Sequence, residues 1–526
     1  MAKFITAAEA AALIHDGDTV ASAGMGMMGL CEDVIRSTKQ RFLHTGSPKD
    51  LTIFYGAHQG DQPCEFYGWD HWAHEGMIRR WIGSFLGASP KLNALCSENK
   101  IETYCLPLGV ILQLYGEIGA KRPGLISNIG LQTYVDPRQE GAKMNDITQE
   151  NIVELIPFNN EEWLFYKSMP LNVGLIRGTT VDSNGNLTFT EESVNSEALI
   201  LATAVKNSGG IVIAQAKYLA EANTLHPRDV RVPGVLIDYV VMNEDIETHK
   251  QNLNDYYNPA LCGAIKACLS ELPKVPLSGN KVIARRAAME LHMGDSVNLG
   301  IGIPQLIASV ANEEHISSHI HFTSESGTIG GVAVTGKAFG NTWNPECLLD
   351  PNDLFEWYDG GGLQTAFLGL AETDKQGNVN VSKFGSRNNG PGGFIDITQP
   401  TKKVIFCGSF MAGKLRTEVN DGKLTIVQEG KARKFVDSVG QITFSGAYAV
   451  TSGQHVLYIT ERGVFELTDT GLELIEIAPG IDLEKDILSN MDFKPTISPQ
   501  LKTMDAALFT EDWGGLQPYL TSKIHS

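Results

Sequence analysis

The same order of elements is written twice in this chain, and that repetition limits its fold more than any other feature. Ala7 to Ile14 reads as a helix, Asp16-Gly17-Asp18 as a turn and Thr19-Val20-Ala21-Ser22-Ala23 as a strand. A glycine loop, Gly24-Met25-Gly26-Met27-Met28-Gly29, then leads into a helix from about Cys31 to Lys39. The same order returns as a helix from Arg285 to His292, a turn at Met293-Gly294-Asp295 and a strand at Ser296-Val297-Asn298-Leu299. Gly300-Ile301-Gly302-Ile303-Pro304 follows, then a helix near Gln305 to Ala311. A second pair of echoes runs from Leu175 to Leu187 and from Phe367 to Val379. In each, an apolar strand meets a polar turn, Asn184-Gly185-Asn186 or Gln376-Gly377-Asn378, and a second strand follows. Gly210 to Ala214 and Lys403 to Cys407 form a third pair, each reading as a buried strand. Any α/β protein has strand–glycine–helix junctions, but junctions repeated in one order point to a duplicated domain. Alternating strands and helices put both halves in the α/β class, with mostly parallel sheets in the core. The Pro-, Gly- and Ser-bearing stretch 256–280 reads as the linker between a half at 1–255 and a half at 281–526.

Length agrees with that division, since 526 residues exceed what one compact core holds. Acidic residues outnumber basic ones, 61 to 42, for a net charge of −19. That balance argues against a duplex nucleic-acid binder, which needs a basic face, and against an anionic membrane surface. A local basic pocket for a phosphate-bearing ligand stays open. No stretch is long and apolar enough to span a bilayer, and the N-terminal residues do not read as a secretory signal. The eight cysteines, Cys31, Cys64, Cys96, Cys105, Cys262, Cys268, Cys347 and Cys407, include no CxxC pair. Scattered reduced thiols in a cytoplasmic protein are the expectation.

Several motifs invite chemistry. Gly24 to Gly29 matches the dinucleotide fingerprint, yet no acidic residue closes the next strand, Leu51 to Tyr55. A nest of backbone amides for an anion or a carbonyl oxygen is the better reading. Met25 is then either a wall for an acyl group or plain packing. His71 and His74 sit in Asp70-His71-Trp72-Ala73-His74-Glu75, which is not HExxH and has no evident third ligand, so they read as packing residues and no metal site is expected. No nucleophile elbow and no phosphate-binding Walker loop is present.

Glu325 ends a strand-forming run, His321-Phe322-Thr323-Ser324-Glu325-Ser326-Gly327. A carboxylate there, with small neighbours, can be approached closely and can act as a covalent nucleophile. It can equally be a loop glutamate facing water. Gly360-Gly361-Gly362 and Asn388-Asn389-Gly390-Pro391-Gly392-Gly393 join the loops 300–304 and 326–331 as four glycine-rich crossings in one half. Strand ends converging on one crevice have this appearance.

Further strings follow in order along nearly the whole chain: His74-Glu75-Gly76, Glu98-Asn99-Lys100-Ile101-Glu102, Val135-Asp136-Pro137-Arg138, Tyr358-Asp359-Gly360-Gly361-Gly362, Asn378-Val379-Asn380-Val381-Ser382-Lys383, Gly390-Pro391-Gly392-Gly393-Phe394 and Ile477-Ala478-Pro479-Gly480-Ile481-Asp482. Together they resemble the class I coenzyme A transferases, in the single-chain form typified by propionate and acetate CoA-transferases. The resemblance implies an α-like and a β-like half with the active site between them, and Glu325 as the catalytic carboxylate. It implies oxyanion donors near Ile301-Gly302 and Gly392-Gly393. It also implies acyl-CoA and small carboxylic acids as partners, no metal, no redox cofactor, and a homodimer or homotetramer. Lys383 and Arg387 are candidate contacts for the CoA phosphates, or else solvated surface charges. Two positions depart from the pattern. Leu108 stands where relatives often carry Gln, which makes the acyl pocket more apolar, and Cys31 stands where Pro is common. Glutamyl chemistry that transfers CoA is the leading reading. A CoA-ester hydrolase and a non-catalytic acyl-CoA binder are its rivals.

Overall fold

The computed structural model describes residues 2–61 and 67–524, so Cys64 lies outside the described residues. Its frame is two large sheets with matching cores. In the first half the matched strands are β1 (Thr19–Ser22), β2 (Leu51–Tyr55), β3 (Val173–Asp182), β4 (Ile211–Ala220) and β5 (Tyr239–Met242). In the second they are β6 (Ser296–Leu299), β7 (His321–Thr323), β8 (Thr365–Gly369), β9 (Lys403–Cys407) and β10 (His455–Ile459). The first sheet runs β5-β4-β3-β1-β2 and the second β10-β9-β8-β6-β7, every neighbour pair parallel. These strands are largely buried. Their runs of Val, Ile, Phe and Ala fit a sheet covered on both faces.

The repeat reaches individual residues. Ser22 pairs with Leu175 in one sheet and Leu299 with Phe367 in the other, the register that the sequence echo requires. Asp182 accepts bonds from the Asn184 and Asn186 amides and from Asn186 Nδ2. Asp374 does the same with Gln376 and Asn378. His15 faces Asp18 at 3.8 Å, as His292 faces Asp295 at 3.5 Å. Turn chemistry was therefore copied along with the strands.

The halves differ at the sheet edges. Beyond β2 come two more parallel strands, Ile78–Gly83 and Glu102–Cys105. Beyond β7 the chain reverses at once into Thr328–Ile329, pairing Thr323 with Ile329 antiparallel. The helix expected at Arg285 to His292 runs instead from Gly279 to Ala288. Ser278, assigned to the linker, caps it by accepting from the Lys281 amide at 3.3 Å. The helix expected to end at Lys39 continues to Thr45 and stops where Gly46 turns left-handed, with φ +74°. One apolar cluster runs from the first half into the second. A separate cluster lies within the second half alone. Backbone bonds also knit the halves, among them Leu86 N–H to Asn389 O at 2.6 Å and Tyr134 N–H to Ile442 O at 2.8 Å.

Candidate active site

Glu325 lies in the turn that joins β7 to its antiparallel return strand. The Ser324 N–H donates to Thr328 O and the Gly327 N–H to Ser324 O, which closes the turn. Ser326 Oγ donates to Gly340 O at 2.5 Å. Gly327 has φ +98°, and a Cβ there would stand 2.1 Å from Leu349 O. The small residues around Glu325 therefore fit the protein's own loop 340–349; the space at Gly327 is filled from within rather than left for a ligand. The Glu325 side chain escapes this packing. It is half-buried, and its Oε2 accepts from the Gly393 N–H at 3.1 Å. Burial raises its pKa to about 7, and the Gly393 bond opposes that rise.

The carboxylate lines a cavity of about 160 Å³ formed by both halves. Ala57, His58, Ser84, Phe85 and Leu108 come from the first. The second contributes Gly300, Ile301, Phe339, Val381, Gly392 and Phe394 alongside Glu325. Ala57 and His58, Gly300 and Ile301, and Glu325 follow the carboxyl ends of β2, β6 and β7, where ligands settle in open α/β sheets. The Pro391–Gly393 segment bridges the seam. The Gly392 N–H donates to Ser84 O at 2.9 Å, and Gly392 O accepts from the Leu108 N–H at 3.0 Å. A Cβ at Gly393 would stand 2.8 Å from both Glu325 Oε2 and the Phe355 ring, so any larger residue displaces these side chains.

The other expected site residues divide. Leu108 is buried and lines the cavity. Ile301 lines it and is 54% exposed. The Gly302 N–H is engaged by Gln305 Oε1 at 2.9 Å, and Gly302 is not part of the wall. The amide nest expected at Gly24–Gly29 is not available either. Met25 and Met28 exchange both backbone bonds, the Gly26 N–H donates to His58 O, and the Gly24 N–H approaches Glu197. Met25 packs against Gly340 and is absent from the cavity wall. Lys383 and Arg387 lie on the two strands of a hairpin between Val381 and Pro391, Lys383 paired with Asn388 and Arg387 with Phe384, and neither lines the cavity. Lys383 Nζ donates to Met144 O at 3.1 Å, and Arg387 Nε to Asn389 Oδ1 at 3.0 Å. Gly360–Gly362 does not belong to the crevice. It precedes β8, at the opposite end of the parallel strands, and the Trp357 ring covers Gly362.

A coenzyme A transferase family model matches residues 4–243 and 281–485. The chain belongs to the coenzyme A transferase family. It is 50% identical over 521 residues to the caffeate CoA-transferase of Acetobacterium woodii, covering 98% of this chain and 99% of that one. It is 42% identical over 509 residues to the acetate CoA-transferase YdiF of Escherichia coli K12, covering 96% and 95%. The crystal structure of YdiF from Escherichia coli O157:H7, in thioester complex with CoA, superposes with a TM-score of 0.91 at 41% identity, covering 98% and 97%.

Within this CoA-transferase, some wall residues carried no sequence signal of their own. His58, Phe85 and Phe339 reach the cavity from loops whose local sequence matches no motif. Asp396 is another. It lies beneath the helix Leu108–Gly119, whose N-cap, Pro107, makes no side-chain cap. Its Oδ1 accepts from the Val110 N–H at 3.3 Å across the seam. Burial and the nearby Asp359 hold its carboxyl well above the usual carboxylate range. Asp359 itself accepts from Gln113 Nε2 at 2.5 Å and is raised to about 7 by burial.

Proposed function

We propose that this CoA-transferase works by a ping-pong route through Glu325. A Glu325 oxygen attacks the thioester carbonyl carbon of acyl-CoA, the C–S bond breaks, and CoA leaves as thiolate. The acyl-glutamyl anhydride that results is attacked by the thiolate at the glutamyl carbonyl. The bond between the glutamyl carbonyl carbon and the bridging oxygen breaks, the acid departs as a carboxylate carrying that oxygen, and CoA stays on the enzyme as a glutamyl thioester. An acceptor carboxylate reverses both steps. Protons and electrons balance with no further reactant, so the scheme draws on no redox cofactor and no metal. The thioester's energy is kept only if water stays away from the anhydride, which favours a site in a seam between halves.

The observation that carries this reading is the Glu325 carboxylate on the wall of a cavity built by both halves, held by one backbone N–H. That N–H, from Gly393, is suited to the glutamyl oxyanion of the tetrahedral steps, where one such donor contributes about 3 kcal/mol. The solved relative in thioester complex with CoA supports the enzyme–CoA intermediate. The named relatives support acceptors ranging from acetate to an aryl-substituted acid, and the buried Leu108 favours the less polar end of that range. Incubation with acyl-CoA and no acceptor acid tests the route. A transferase releases one equivalent of free acid, retains CoA on the protein and then stops. Continuous release of free CoA would instead show water in the acceptor's place.

A further inference from the structure

Among the described residues that line the cavity only His58, Ser84 and Glu325 carry polar side chains. Glu325 is assigned to the chemistry. Ser84 Oγ is committed to Gly56 O at 2.5 Å. That leaves His58. Its backbone carbonyl holds the Gly26 N–H at 2.7 Å, which fixes the residue's position. No hydrogen bond or ion pair to its ring nitrogens is made by the described residues. The ring is half-buried and flanked by Phe85, edge-on at 6.0 Å, and Phe339, tilted at 6.2 Å. Burial lowers its pKa to about 4, so at neutral pH it is an uncharged imidazole with one N–H donor and one acceptor nitrogen. A ligand that fills this mostly apolar pocket shuts water away from the imidazole, and one that offers it no hydrogen bond is then disfavoured.

The remaining wall is apolar, from Ala57, Leu108, Leu368, Val381 and Phe394 as well as the two phenylalanines. The cavity of about 160 Å³ is close to the roughly 150 Å³ in which an apolar cavity accepts a benzene ring. Resting on the transferase reading above, we propose that His58 is the specificity-determining residue of the acyl pocket, and that it selects ring-sized, mostly apolar acids carrying a hydroxyl group. The hydroxyl gives the imidazole a hydrogen-bond partner in the filled pocket while the carboxylate end reaches Glu325.

The test is a ratio. Transfer of CoA from acetyl-CoA is measured to 4-hydroxyphenylacrylate and to phenylacrylate, which differ by one hydroxyl, with wild type, His58→Phe and His58→Gln. Wild type is expected to favour the hydroxylated acid by about 10- to 100-fold in kcat/KM. His58→Phe, which keeps a ring against Phe85 and Phe339, brings that ratio to about 1, and His58→Gln restores part of it. A wild-type ratio near 1, or a ratio unchanged in His58→Phe, overturns the assignment. Mass spectrometry of the same wild-type enzyme with acetyl-CoA alone separates the two proposals. A covalent CoA adduct with a ratio near 1 removes only the role of His58. Absence of the adduct removes the transferase route and the His58 proposal with it.

Discussion

Burial pushes the Glu325 carboxyl up to about 7 against the pull of the Gly393 N–H, and the route proposed through Glu325 requires its ionised form. The kcat/KM for acyl-CoA should therefore rise with pH and level off above about 7. A profile flat from pH 5 to 8 would contradict that. The same shift fixes a sign for stability. The folded pKa lies above the ordinary 4.5, so folded protein holds a proton that unfolded chain has released between these values. The stability this carboxyl contributes is complete below the lower value and is lost as pH rises through the upper one. Glu325→Gln lacks that loss, so its unfolding free energy should gain on wild type by about 1–3 kcal/mol from pH 5 to pH 8 in urea titrations. Gly393 sets the position of this carboxylate. A methyl group there would overlap Glu325 Oε2, so Gly393→Ala should lower kcat by about 100-fold while the protein still folds. Unimpaired turnover in that variant would separate Gly393 from the chemistry.

The helix Leu108–Gly119 shows how an element of one half depends on the other. It begins at Pro107 with no side-chain cap of its own, and Asp396 supplies an acceptor at 3.3 Å from 286 residues away. Asp396→Ala should destabilise the protein by about 1–3 kcal/mol in urea unfolding, and Asp396→Asn, which keeps the acceptor, by less. Equal effects of the two would show that the cap contributes little. Elements whose signals are local were legible in the sequence. Leu51–Tyr55 and Lys403–Cys407 fall where β-branched and aromatic runs place them. The helix starting at Gly279 was misplaced because Ser278, a sound N-cap, sat in a Pro- and Gly-bearing stretch that reads equally well as linker. Asp396 gave no sign at all, because a cap supplied from another element leaves no pattern near the helix it serves.

At the scale of the molecule, duplication was readable because two sheets with one strand order require two passages with one order of elements. The seam was not. Glycine reports that something comes close without saying what. At Gly393 it is Glu325, at Gly327 the Leu349 carbonyl, and at Gly362 the Trp357 ring. Of these three neighbours Glu325 alone lines the cavity, so the four glycine-rich crossings could not be sorted from sequence. The His58 ring, Leu108 and Glu325 meet because the halves dock with the carboxyl ends of β2 and β7 facing one cavity. What this docking provides is a half-buried carboxylate on a cavity wall, which the proposed route uses to hold CoA. The direct measurement is peptide mapping by mass spectrometry after incubation with acyl-CoA alone. The expected result is a single adduct with the mass of CoA less one water, on Glu325, removed by adding acceptor acid and absent from Glu325→Gln. An adduct on another residue, or transfer that persists in Glu325→Gln, would contradict it.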